Sequence, residues 1–275
     1  MTSAIEYTPY RVSTITANGH VGSAVNLDVF FEHFHIANGS TGFVWIELGR
    51  DKSKGVYPKK KKTANKKTFD NQATVIYRFR EGYMPNIKLF RNGNVQMTGI
   101  KTMEDGEMVV ERIAGEVMRI AKEKDISIIP QIENIRANDF KVRMINSDFS
   151  IPFKIRRKVL HNLLMIDYSN VCSYQPESYP GVKLQYFWRE KENHAGRCTC
   201  EEPCDGKGGT DGRCKKVTVS VFQSGKVLIT GATTYEQINE AYRFICGVVT
   251  KHRDSLEWTI PIMPSLSSPL PGLFQ

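Results

Sequence analysis

KLFRNGNVQMTGIK at 88–101 and SVFQSGKVLITGAT at 220–233 are two readings of one pattern. Phe90 matches Phe222, Gly93 matches Gly225, Thr98 matches Thr230 and Gly99 matches Gly231, every pair 132 positions apart. In each copy two strand-like runs are joined by a tight turn, RNG in the first and QSG in the second, the spacing of a β-hairpin. An internal repeat of this length implies a duplicated structural unit.

The same order of elements surrounds both copies. In the first half Asn26 is placed to cap a helix with Leu27, Phe30, Phe31 and Phe34 on one face. Strands are expected at 73–80, 87–90 and 94–98, then a long amphipathic helix over about 104–122 with Val110, Ile113, Val117 and Ile120 in one stripe. In the second half a helix is expected over about 153–166, with Ile155, Val159, Leu163 and Ile166 on one face. Strands follow at 182–188, 217–222 and 226–230. A closing helix starts at Thr234 and Gln237, which have capping-box spacing. Its stripe is Ile238, Ala241, Ile245, Val248 and Val249. Strand alternation puts Val217, Val219 and Val221 on one face and Thr218, Ser220 and Phe222 on the other. Lys226, Leu228 and Thr230 likewise alternate with Val227 and Ile229. The valine face suits packing on helices. The mixed face suits a nucleic acid, whose bases accept apolar groups and whose phosphates accept lysine.

Composition agrees with a folded chain of 275 residues that is 40% hydrophobic and 24% charged. No run of 18 apolar residues predicts a membrane span, and MTSAIEYTPYR has no basic-then-apolar leader pattern. The net charge of +9 points to a polyanionic partner, nucleic acid before an anionic membrane surface. The most basic stretch, 52–67, is expected to be a solvated, mobile loop. Its PKKKK run at 58–62 reads equally as a nuclear localisation signal, a backbone clamp or a solubilising loop. Four prolines at 261–275 mark an extended tail.

The duplicated F-x-x-G-x-x-x-x-T-G followed by a helix resembles the core domain of the TATA-box-binding protein (TBP) family. SYQPESYPGVKLQY at 173–186 is similar to that family's second-half loop, VSTIT at 12–16 to its opening strand and FKV at 140–142 to the start of its second repeat. The resemblance covers most of 8–255 apart from two insertions. It implies an α+β saddle, with two pseudo-symmetric repeats forming one curved antiparallel sheet and helices on the convex face. The first repeat would span 8–138 with a basic insertion at about 50–68. The second would span 139–258 with a Cys-rich insertion at about 190–215, and the Pro-rich tail 259–275. In that family the concave face lies on the DNA minor groove and phenylalanines wedge between base steps, bending the duplex by about 80°.

By position, the resemblance implies wedges at Phe90, Tyr179 and Phe222, base-edge contacts at Thr98 and Thr230, an apolar floor at Leu228, and phosphate contacts at Arg78 and Lys226. It implies a contact for a transcription factor IIB-like initiation factor at Pro176 and Glu177. The chain departs from the pattern in its first half. Gln72 falls at or next to the second wedge, Tyr10 and Met144 fall on the two groove-reading asparagines, Gln96 stands where the second half has Leu228, and Asn94 replaces a basic residue. The expected function is therefore a DNA-binding general transcription initiation factor with relaxed or altered sequence preference. It would act with double-stranded DNA and the RNA polymerase machinery and without a membrane, in the nucleus or in a cytoplasmic viral factory. The alternative is a TBP-fold protein-interaction scaffold with weak or non-specific DNA binding.

The 190–215 insertion carries C-x-C-x₃-C-x₉-C, where the family has a short turn. Cys198, Cys200, Cys204 and Cys214 have the number and type of ligands for a structural Zn²⁺, with disulfides and free thiols as rivals. The insertion is expected at the end of the sheet near the 173–181 loop. Cys172 and Cys246 read as small hydrophobes in a strand edge and a helix stripe. The dispersed histidines and the lack of a nucleophile–base set, P-loop or H-E-x-x-H predict no enzyme.

Overall fold

In the computed structural model, residues 5–49, 51–57, 71–124, 132–190, 195–202, 204–208 and 213–258 are described. The first repeat runs β1 (Arg11–His20), α1 (Leu27–His33), β2 (Gly42–Leu48), β3 (Lys52–Gly55), β4 (Gln72–Arg78), β5 (Asn86–Phe90), β6 (Asn94–Ile100) and α2 (Met103–Lys124). The second runs β7 (Asn138–Ser150), α3 (Arg157–Ile166), β8 (Val171–Gln175), β9 (Tyr179–Trp188), β10 (Lys215–Val221), β11 (Lys226–Ala232) and α4 (Tyr235–Lys251), with a short α5 (Arg253–Leu256). All eleven strands join one sheet in the order β3-β2-β4-β5-β6-β1-β7-β11-β10-β9-β8, and every pairing between neighbours is antiparallel. With β3 set aside, the order reads the same outward from the β1–β7 seam in both directions, as a duplication requires.

The two quoted stretches are the β5–β6 and β10–β11 hairpins, and their turns show why glycine recurs. Gly93 and Gly225 both hold φ at 86°. A Cβ on Gly93 would fall 2.0 Å from the Ser23 carbonyl oxygen, and one on Gly225 2.3 Å from that of Ile151. Left-handed backbone and close approach together admit only glycine. The Thr-Gly pairs follow as matched irregularities. The β1–β6 register shifts beside Thr98, and the β11–β7 register shifts between Ile229 and Ala232.

One face of the sheet packs on the helices. Ile15, Ala17, Ala73, Val75, Ile87, Leu89, Val95 and Met97 are fully buried there in the first half, and Val182, Leu184, Val217, Val219, Val221, Val227 and Ile229 in the second. Val110, Ile113, Val117 and Ile120 of α2 and Ile238, Ala241, Ile245 and Val249 of α4 close the core from above. Each such Leu or Ile contributes about 1.5–3 kcal/mol on burial. The caps act as their sequences predict. Asn26 accepts from the Asp28 and Val29 amides, and Thr234 and Gln237 form a complete capping box. No described helix is long and apolar enough to cross a membrane.

Three expectations need correction. Residues 52–55, taken as the start of the basic loop, form β3 against β2; the PKKKK run and the Pro-rich tail lie outside the described residues. Helix α3 begins at Arg157, because Ile155 is used in a bridge to Glu257. Its buried residues are Leu160, Leu163 and Leu164, while Ile166 is 75% exposed. Strand β2 was not expected, and β8, expected only as the strand edge holding Cys172, is its counterpart in the second half.

Candidate nucleic-acid interface

The face away from the helices is built from alternate residues of the sheet's strands, and register assigns each of them. Thr98 stands opposite Asn86 and Thr16; Thr230 stands opposite Thr218; Leu228 lies between Ser220 and Asp148. Arg78 falls on this face because Ala73, Val75 and Tyr77 of β4 turn into the core. The face also carries Arg11, Lys88, Arg143, Lys183, Lys216 and Lys226, against the carboxylates Glu47 and Asp148. A surface of threonines and leucine rimmed by cations suits the floor and walls of a nucleic-acid groove.

Tyr179 and Phe222 stand side by side, ring centroids 5.6 Å apart, where β9 leaves its turn and β10 ends. Both rings are half-buried. Gly181 allows their approach, since a Cβ there would lie 2.8 Å from Tyr179 Cε1 and 3.2 Å from Phe222 Cε1. Lys183 Nζ sits 3.9 Å from the Tyr179 ring centroid, adding a cation–π contact. Arg157 braces the pair from α3, donating to the Pro180 carbonyl beside Tyr179 and, at 3.0 Å, to Gln223 Oε1 beside Phe222. The sequence reading missed Arg157, whose role appears only when the helix meets both loops.

In the first half Phe90 is likewise half-buried, with Gln72 directly opposite it in the β4–β5 ladder. An amide therefore stands beside that wedge position, where the second half has glycine and then tyrosine. Farther out, Val44, Trp45 and Ile76 form a small buried cluster under Tyr57 and Met84, with the Trp45 and Tyr57 rings 4.7 Å apart. Its residues belong to β2, β4 and the segments beyond them, which is why sequence alone showed this half as merely polar.

The centre of the face also differs from expectation. Tyr10, equated by position with a groove-reading asparagine, turns to the helix side and packs edge-on against Tyr242 of α4, centroids 5.7 Å apart. Met144 does lie on the open face, opposite Thr16, and Asn146 lies opposite Thr14. The buried Asn146 Oδ1 has no hydrogen-bond partner among the described residues. Two residues on, Asp148 is almost fully buried between the cations of β1 and β11. Arg11 Nε donates to both carboxylate oxygens, at 3.2 and 3.1 Å, and Lys226 Nζ donates to Oδ2. Burial pushes this carboxyl upward, but the hydrogen bonds from Lys226 and Arg11 outweigh it and hold it below its ordinary value. Lys226, expected to meet phosphate, is thus already engaged by a carboxylate.

Pro176 and Glu177 are exposed at the turn between β8 and β9. The cysteine insertion is not near that turn. It joins the other end of β9 to β10, a ten-residue strand away, about 30 Å. There it grips both sides of the sheet end. Gly196 lies against the Tyr186 ring on the helix side, and Gly206 lies against Phe187 and Lys216 on the open side. The Phe187 amide donates to the Gly196 carbonyl (2.9 Å) and the Lys216 amide to the Gly206 carbonyl (2.7 Å).

The sulfurs of Cys198, Cys200, Cys204 and Cys214 converge, all within 4.8 Å of one another, and all are free thiols. A backbone hydrogen bond from Cys214, with further bonds from neighbouring thiols, draws the Cys200 thiol down to about 7; burial pushes Cys214 up to about 12. Cys172 and Cys246 are half-buried against the core, and burial raises each thiol to about 12.

Residues 139–252 match the family model described as transcription factor TFIID, or TATA-binding protein, TBP. A "TATA-box-binding protein-like" protein of Acanthamoeba polyphaga mimivirus is 29% identical over 274 residues, covering 93% of this chain and 69% of that protein. The TATA-box-binding protein of Dictyostelium discoideum is 26% identical over 178 residues, covering 65% of this chain and 66% of its own length. That of Emericella nidulans is 25% identical, with 52% of its length covered. The chain thus spans 52% to 69% of the length of these relatives. The solved structure of Methanococcus jannaschii TBP superposes with a TM-score of 0.50 at 18% identity, covering 89% of this chain and 99% of that one, a likeness of fold.

Proposed function

We propose that this chain is a divergent member of the TATA-box-binding protein family, a reading supported by the family-model match and the viral relative, and that it is a transcription initiation factor that binds duplex DNA on the helix-free face of its sheet. The observation that carries this reading is the Tyr179–Phe222 pair, two braced, half-exposed rings on a basic face. Such rings insert between base steps from the minor groove, and the opened step bends the duplex toward its major groove, away from the protein. Thr98, Thr230 and Leu228 supply the groove floor. Arg78, Lys88, Arg143 and Lys183 line the phosphates, with Arg11 and Lys226 beside them but shared with Asp148. The first half offers one ring, Phe90, beside the amide of Gln72, so its grip is weaker and rests more on charge. The expected result is DNA binding with a relaxed preference for A·T over G·C.

The exposed Pro176–Glu177 turn would be presented beyond the DNA to a transcription factor IIB-like initiation factor, and through it to the RNA polymerase machinery. The compartment is that of the template it serves, the nucleus or a cytoplasmic viral factory.

Fluorescence anisotropy on a TATA-containing and a G·C-rich duplex, with end-to-end energy transfer to read bending, tests the reading. Losing one stacking ring removes about 1–3 kcal/mol. Phe222→Ala and Tyr179→Ala should therefore each weaken binding about 5- to 150-fold and reduce the bend. Unchanged affinity and bend in both variants would overturn the wedge mechanism and favour the scaffold reading.

A further inference from the structure

We propose that Cys198, Cys200, Cys204 and Cys214 hold one Zn²⁺ in a closed tetrathiolate site, and that this ion is a structural clasp on the β9–β10 end of the sheet. A tetrahedral ion with Zn–S near 2.3 Å sets its sulfurs about 3.8 Å apart. The chain already brings them to that scale: Cys200 and Cys214 are 3.5 Å apart and every pair lies within 4.8 Å. Two disulfides would draw the sulfurs into separate pairs at about 2.05 Å. Here each sulfur instead faces the three others, which is the arrangement of ligands around one centre. Burial is graded, with Cys214 fully buried, Cys200 and Cys204 half-buried and Cys198 exposed, so the ion would have one solvent-facing ligand as an entry side. Arg197, Lys215 and Lys216 lie close in the chain to offset thiolate charge, while Lys207 and Arg213 pair with Asp205 and Glu202.

The role follows from the surroundings. Four protein thiolates leave no coordination position for water, so the site is structural. The segment it ties together has little apolar core of its own. It reaches the domain through Gly196 on Tyr186 and Gly206 on Phe187 and Lys216, with the Phe187 and Lys216 amides bonded to its carbonyls. Without a centre fixing the four cysteines, those two anchors on opposite faces of the sheet are joined only by the loop 197–205, RCTCEEPCD, which has no hydrophobic side chain besides its cysteines and a proline. With the ion in place they close as the two jaws of one clip.

The test uses the full chain, purified and kept reduced. Elemental analysis after zinc loading and desalting should give one zinc per chain. Cobalt substituted for zinc should show the intense visible bands and thiolate charge-transfer absorption of tetrahedral coordination. Cys200→Ser and Cys214→Ser should lose stoichiometric metal. Chelation of the wild-type protein should speed hydrogen exchange at the Phe187 and Lys216 amides, while Val219 and Val227 keep their protection. That readout does not depend on any variant folding. Failure of reduced protein to retain zinc, or a six-coordinate cobalt spectrum, would overturn the site. Retained zinc with unchanged exchange at Phe187 and Lys216 would overturn the clasp.

Discussion

Replacing Asp148 by asparagine asks whether the open face meets phosphate. In the native chain Asp148 occupies two cations on that face, Arg11 and Lys226. The trio carries one net positive charge; Asp148→Asn raises this to two and keeps the side-chain shape. Each additional phosphate neutralised steepens the fall of log K with log salt by about 0.9. The variant's slope should therefore steepen by about 0.9, or about 1.8 if both cations were fully withheld. Between 50 and 200 mM salt that is an extra loss of roughly 3- to 12-fold, so the variant binds more tightly at low salt and converges on wild type as salt rises. Stability should fall only modestly: Asp148 is itself only 7% exposed, but asparagine keeps its shape, and its partners Arg11 and Lys226 are 78% and 39% exposed and screened by solvent. Its pH dependence has a definite sign. The folded carboxyl is held below 3.8, so its contribution is present above that value and is lost as pH falls through the folded value. Asp148→Asn should flatten the acid limb of a stability-versus-pH curve there. Anisotropy titrations across a salt series, with a melting curve as control, measure the slope. An unchanged or shallower slope in a normally folded variant would refute the placement of phosphate beside Lys226.

Two glycine substitutions separate fold from function. Gly181→Ala places a methyl 2.8 Å from the Tyr179 ring and 3.2 Å from Phe222; both rings are half-exposed and can yield. The melting temperature should hardly move while DNA bending falls several-fold in population, and an unaltered bend would show that the ring positions do not matter. Gly225→Ala meets backbone at φ 86° and a carbonyl oxygen at 2.3 Å. It should cost at least about 2 kcal/mol in denaturant unfolding, and a loss under about 0.5 kcal/mol would count against the tight β10–β11 turn.

What the sequence disclosed and concealed follows from how local each signal is. The hairpins, the α4 capping box and the stripes of α2 and α4 are written in neighbouring residues, and they stand where periodicity put them. Strand β2 escaped because Val44, Trp45 and Ile46 are all buried, in two clusters on opposite faces, which erases alternation. The α3 stripe slipped because a start at Arg157 leaves Ile155 outside the helix. Tyr10 shows the limit of carrying a role over by position, since its own packing on Tyr242 takes it off the open face. Asp148 gave no local sign at all: its partners lie 137 and 78 residues away, and only the meeting of β1, β7 and β11 assembles them.

The duplication makes the asymmetry of the face informative. Two identical halves about the β1–β7 seam would let a duplex dock equally well in either direction. Here one end has two braced rings, and the other has a single ring beside Gln72. Between them, Leu228 faces Gln96 across the pseudo-symmetry, and Lys226 faces Asn94. Reversing the duplex would move the step opened by two rings onto the end that has one. With unstacking at a few kcal/mol per step, sequences whose easily opened step lies at one end only would bind in one preferred direction. On the proposed function, the direction a bound factor faces would decide which side of the site it offers the Pro176–Glu177 turn to, so the loss of symmetry on this face would itself orient an assembly built upon it.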